Sequence, residues 1–185
     1  MSGGYNSAFL TAMRGNATQI AYLRNNVFAS QPHIVAGVGQ QLVNLMAGNS
    51  GIEVHTAGNH RSFFSHAFMA HWLPNNPKAA PAITLGTVGA DIFFTPALTG
   101  CVLEINGSTV THHDAGSTTR DTAAQLAAGG GIGHRCWHND AIAPGFYASV
   151  VIGVRRNGVW EFYQQSYNPG SGMTTPLPAN QVTQI

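Results

Sequence analysis

The chain has 185 residues, only 8% of them charged, and a formal net charge of +1. That length suits one domain able to bury roughly 70% of its unfolded surface, and a single lysine, Lys78, excludes the clustered cations that a nucleic-acid partner requires. Nine histidines outnumber seven acidic residues, and two cysteines are too few for a disulfide framework, so both are read as thiols of a reducing compartment.

The start, MSGGYNSAFL, lacks the charged region and long apolar run of a secretory signal, so delivery by another route is expected. Ser7 to Arg14 reads as a short helix. Pro32 to Met46 reads as a second one, with Ile34, Val38, Leu42 and Leu45 or Met46 on one face, Pro32 suiting its first turn and Gly48 its stop. From Ile52 the signals become short β-rich runs separated by Gly, Pro and Asn: IEVHTA, SFFSHAF, AITLGTV, DIFFT, CVLEI, STVTHH, YASVVIGVR and VWEFYQQSY. Thr118 to Ala128 interrupts them as one helix, with Thr118 and Asp121 resembling a capping box, and Gly129 to Gly133 follows as a flexible connection. The most apolar stretch, Ala79 to Ile105, contains Pro81, Asp91 and Pro96, which speaks against a membrane span. The expected architecture is a single α+β domain over residues 1–185, an antiparallel β-sandwich with flanking helices. Residues 1–50 form its helical part and residues 51–185 its strand-rich core.

Two Asn-Gly pairs predict two-residue hairpin turns. Asn157-Gly158 sets Arg155 opposite Trp160 and Gly153 opposite Phe162, an ordinary hairpin with a basic tip. With Asn106-Gly107 as the first loop, Ile105 pairs with Ser108 and, counting back, Cys101 with His112. Alternation then puts Cys101, Leu103 and Ile105 on one face with His112, Val110 and Ser108. Val102, Glu104, Thr109, Thr111 and His113 take the other face. A thiol opposite an imidazole is the arrangement of an activated nucleophile, because the ring stabilises the thiolate that attacks carbonyl carbon. The bland reading of such a cysteine is core packing, and that of His113 a solvated or hydrogen-bonded side chain. A metal reading competes through HRCWH, where His134, Cys136 and His138 share one face if that segment is a strand. It lacks a fourth ligand at a recognisable spacing, so no metal is expected. A Cys101 to Cys136 disulfide would abolish the nucleophile.

The run FFTPALTGC, Phe93 to Cys101, followed by VTHHDA, Val110 to Ala115, resembles the Burkholderia lethal factor and, more loosely, the catalytic domain of the cytotoxic necrotizing factors. The shared elements are FFT (Phe93 to Thr95), LxGC (Leu98, Gly100, Cys101) and HxDA (His112, Asp114, Ala115), over about 25 residues. The family consists of bacterial toxins that deamidate a glutamine of a host protein. The resemblance implies Cys101 as nucleophile, His112 as the base that later protonates ammonia, and Thr95 as the group orienting the imidazole. Asp114, two residues beyond His112, is the competing orienter. It also implies action in the host cytoplasm, with an RNA helicase of translation initiation or a small GTPase as substrate partner, a monomer, and no cofactor. An oxyanion hole needs backbone N–H donors near Gly100 and Cys101, and regular pairing through Cys101 would consume them. A break or bulge at Gly100-Cys101 is therefore expected. The alternatives are a cysteine protease or transglutaminase of the same Cys-His type, and a binding module using Trp137, Tyr147 and Trp160.

Overall fold

The computed structural model describes residues 3–29, 37–49, 51–57, 66–75, 80–99, 101–113, 134–138, 148–168 and 175–185, the segment 134–138 by its backbone. The predicted helix at Thr118 to Ala128 and the glycine run after it lie outside these residues, as do Gly100 and Asp114. The fold is α+β with a β-sheet core. Two helices open the chain, α1 (Gly3–Arg14) and α2 (Gln19–Asn25). Strands β1 (Gly39–Gly48), β2 (Gly51–Thr56) and β3 (Phe68–Trp72) follow. Next come β4 (Ala82–Thr84), β5 (Ile92–Phe94), β6 (Val102–Asn106) and β7 (Thr109–His113). The chain ends with β8 (His134–His138), β9 (Ala148–Arg156), β10 (Val159–Tyr167) and β11 (Val182–Gln184).

The strands form a seven-stranded sheet, ordered β11-β10-β9-β5-β3-β1-β2, and a four-stranded sheet, ordered β4-β7-β6-β8. All pairings are antiparallel except β3 with β5, which run parallel. This departs from an all-antiparallel expectation and brings the carboxyl ends of β3 and β5 to the same edge of the molecule.

The large sheet is covered on both faces where it is central. On one face α1 and α2 seat Phe9, Met13 and Leu23 against Phe94, Ile152 and Tyr163. On the other, Phe93, Val151 and Phe162 meet Ile83, Leu103, Ile105 and Val110 of the small sheet. Successive residues of β5 and β9 therefore alternate between two cores, which is why IFF and SVVI read as continuous apolar runs rather than as alternating strands.

One predicted element is overturned. The helix expected at Pro32 to Met46 is replaced over its second half by β1, so residues 1–50 are not uniformly helical. The apolar spacing at Val38 and Leu42 suits a helix, yet these two side chains are 50% and 38% exposed, whereas Val43 and Leu45 are fully buried. Gly37 and Gly39 take positive φ (86° and 112°), which favours glycine and is incompatible with continuing a helix. Pairing with both β2 and β3 then satisfies the backbone that a helix would have satisfied internally.

Candidate active site

The β6–β7 hairpin is the first element of the site, and its register corrects the prediction. The loop is Gly107-Ser108, not Asn106-Gly107. Asn106 pairs with Thr109, Ile105 with Val110, Leu103 with His112, and Val102 with His113. Two overlapping turn signals compete here. Gly107 adopts φ 58° while Ser108 has no positive φ, the pattern of a turn with glycine at its first central position. Moving the loop by one residue shifts each partner by two, so every side chain keeps its face. Cys101 thus stands diagonally from His112 on the inner face, with Leu103 between them in register. Diagonal neighbours lie about 7–8 Å apart at Cα, within reach of an imidazole.

Cys101 lies one residue before β6, outside the ladder, which ends at Val102↔His113. In this register the position opposite Cys101 is Asp114, which, like Gly100, lies outside the described residues, so the break expected at Gly100-Cys101 falls there. An irregularity does lie upstream. Thr95 N–H donates to the Val151 carbonyl (3.0 Å), and Leu98 and Ser149 exchange two backbone bonds (2.6 and 3.0 Å). Pro96 and Ala97 therefore oppose Val150 alone, a one-residue bulge that redirects the chain. Between Leu98 on the large sheet and Val102 on the small one the chain changes sheets, and Cys101 sits at that crossing. It is 2% exposed and carries its sulfur as a thiol, which removes the disulfide alternative.

His112 is 1% exposed and held by two proline carbonyls. Its backbone N–H donates to Pro81 O (2.9 Å), and its Nδ1 lies 3.2 Å from Pro74 O. A carbonyl oxygen only accepts, so Nδ1 carries the hydrogen and Nε2 is the lone-pair nitrogen of the neutral ring. Pro74 follows β3 as Thr95 follows β5, so the parallel pair delivers both groups to one edge. Thr95 is buried, and its Oγ1 accepts the Val151 N–H (2.9 Å), taking the bond that a continued ladder would give to its own carbonyl. The Pro74 carbonyl is a bonded partner of the imidazole that sequence reasoning missed.

His113 occupies the opposite face, where its Nε2 pairs with Glu104 Oε2 at 2.8 Å, the hydrogen-bonded role anticipated for it. HRCWH does form a strand, β8, whose register sets His134, Cys136 and His138 opposite Asn106, Glu104 and Val102. Among the described residues, no three His, Cys, Asp or Glu side chains gather as a metal-ligand set. Around the crossing lies a second group that sequence reasoning passed over. Ser149, Ser166 and Gln164 are buried on the same face of β9 and β10 as Val151 and Phe162. The signal for Ser149 was available: a serine inside the apolar run SVVI, in a strand buried on both faces, has no solvent to turn to.

The chain matches no family model, and no curated protein matches it in sequence.

Proposed function

We propose that the chain is a cysteine-dependent deamidase that converts a glutamine of a host protein to glutamate, a bacterial toxin acting in the host cytoplasm. Its two sheets would pack face to face as a β-sandwich around the inter-sheet core. The observation that carries this reading is the placement of Cys101, a buried thiol at the sheet crossing, on the inner face with His112. The Pro74 carbonyl fixes that ring so that Nε2 is its basic nitrogen.

His112 Nε2 takes the proton of the Cys101 thiol, giving a thiolate and an imidazolium. The sulfur attacks the carboxamide carbon, a C–S bond forms, and the carbonyl electron pair moves to oxygen near the backbone of Gly100 and Cys101. Collapse breaks the C–N bond as Nε2 gives its proton to the departing nitrogen, releasing ammonia and leaving a thioester. A water then loses a proton to Nε2 and attacks the thioester carbon. Collapse expels the Cys101 thiolate and leaves the glutamate carboxyl.

The experiment is a paired incubation of the protein and its Cys101→Ser variant with eukaryotic cell extract, read by peptide mass spectrometry. Glutamine-to-glutamate shifts confined to the unsubstituted protein are expected. Turnover retained by Cys101→Ser would remove the nucleophile assignment, while cleaved or crosslinked peptides would change the reaction class.

A further inference from the structure

We propose that Ser149, Ser166 and Gln164 form an uncharged subsite that receives the substrate's primary carboxamide, an inference that rests on the deamidase reading of Cys101 and His112. Ser149 and Ser166 are fully buried and Gln164 is 4% exposed. Among the described residues, Ser149 Oγ, Ser166 Oγ and Gln164 Nε2 have no hydrogen-bond partner. Each such atom costs about 1–3 kcal/mol if left unsatisfied, so folded proteins seldom gather three without something to fill them.

The three groups are neighbours. Ser166 pairs directly with Ser149, and Gln164 with Val151. Their face is that of Val151 and Phe162, whereas Val150, Tyr163 and Tyr167 belong to the helix-side core. The patch also borders the crossing, because Ser149 is bonded through its backbone to Leu98, three residues before Cys101.

Its chemistry suits an amide rather than an acid. A primary carboxamide presents one carbonyl acceptor and two N–H donors, and serine hydroxyls both donate and accept. The Thr183 hydroxyl donates to Gln164 Oε1 (2.8 Å), fixing the amide so that Nε2 is the atom left to donate. The only formal charge on this face of β9 and β10 is Arg155, six residues along from Ser149, or about 20 Å. A carboxylate placed beside the serines meets no cation of these strands, and burying it unpaired is far more costly than burying an amide. The subsite would thus hold glutamine and release glutamate.

The test uses thiol probes on the intact folded protein, with alkylation rates read by peptide mass at Cys101 and, for the intrinsic reactivity of each probe, at Cys136 of the urea-unfolded chain. Iodoacetamide carries a primary carboxamide, N,N-dimethyl-iodoacetamide carries one without N–H donors, and methyl methanethiosulfonate carries none. The preference of Cys101 for iodoacetamide over its dimethyl analogue is expected to exceed that of unfolded Cys136 by about tenfold, the scale of one or two hydrogen bonds. Ser149→Ala with Ser166→Ala should abolish that preference and leave the methanethiosulfonate rate unchanged. Gln164→Met should weaken it, and carries the test if the double variant does not fold. An unaltered preference in the variants would show that internal water alone fills these positions and would overturn the subsite. A Cys101 inert to all three probes would overturn the nucleophile assignment as well, which separates the two failures.

Discussion

The two faces of the large sheet treat polar atoms differently. On the helix side, Phe94 lies among Phe9, Phe28 and Phe68 with ring centroids 5.5, 6.0 and 6.4 Å away. The buried amides there are bonded. Gln165 donates Nε2 to the carbonyls of Leu23 and Asn26 and accepts the Phe28 N–H, and Gln19 donates to Met13 and Gly15. Among the described residues, its unsatisfied polar atoms are two aromatic handles, Tyr22 OH and Trp72 Nε1. On the inter-sheet side the unsatisfied groups among the described residues include two serines and an amide side by side, with Ser149 paired through its backbone to Leu98, three residues before Cys101. The contrast separates a face whose buried amides are bonded from one that leaves buried polar groups unsatisfied.

Breaking the helix-side face should have the largest effect. Phe94→Ala removes the ring shared by three aromatic contacts and is expected to cost about 3–5 kcal/mol, read from urea denaturation. Polar truncation then sharpens the contrast. Gln165→Ala leaves the Phe28 N–H and two carbonyls without their partner and should cost about 1–3 kcal/mol, whereas Ser166→Ala removes an unsatisfied hydroxyl and should change stability by less than about 0.5 kcal/mol or improve it. Equal costs for the two substitutions would mean that Ser166 is bonded as firmly as Gln165. The smallest effect concerns His71, buried on the inter-sheet face with its ring edge-on to Trp160 at 5.7 Å. Burial lowers its pKa from the usual histidine value; the Ala90 backbone works against this and the charge of Arg155 adds to it. The folded state then binds fewer protons than the unfolded chain, so the contribution of His71 to stability is complete above pH about 6.5 and is lost as pH falls through the lowered folded value. In His71→Gln the urea midpoint should vary less between pH 7 and pH 5 than in the unsubstituted protein.

How much of this was legible depended on how local the deciding interaction is. The Asn157-Gly158 hairpin is readable in its observed register, Arg155 opposite Trp160 and Gly153 opposite Phe162, because both loop residues adopt the positive φ (50° and 79°) that this dipeptide signals. The first hairpin offers Asn-Gly and Gly-Ser in overlap, and the pairing of Ile105 with Val110 accompanies the second. Its inner-face set is still readable, since alternation is indifferent to a two-residue shift. β1 misleads because Val38, Leu42 and Leu45 satisfy a helical spacing, while its pairing with β3 joins residues 25 (Val43 with Phe68) to 33 (Gly39 with Trp72) positions apart. The Pro74 carbonyl is beyond reach for a related reason: it meets His112 from 38 positions away, through a backbone atom that every residue type possesses.

The crossing from Leu98 to Val102 also acts as a tether. Four residue steps span at most roughly 14 Å when fully extended. Leu98 is fastened to β9 and Val102 to β7, so those two points cannot separate beyond that span before one of the ladders breaks. Cys101 lies inside it, so its position is set by both sheets at once.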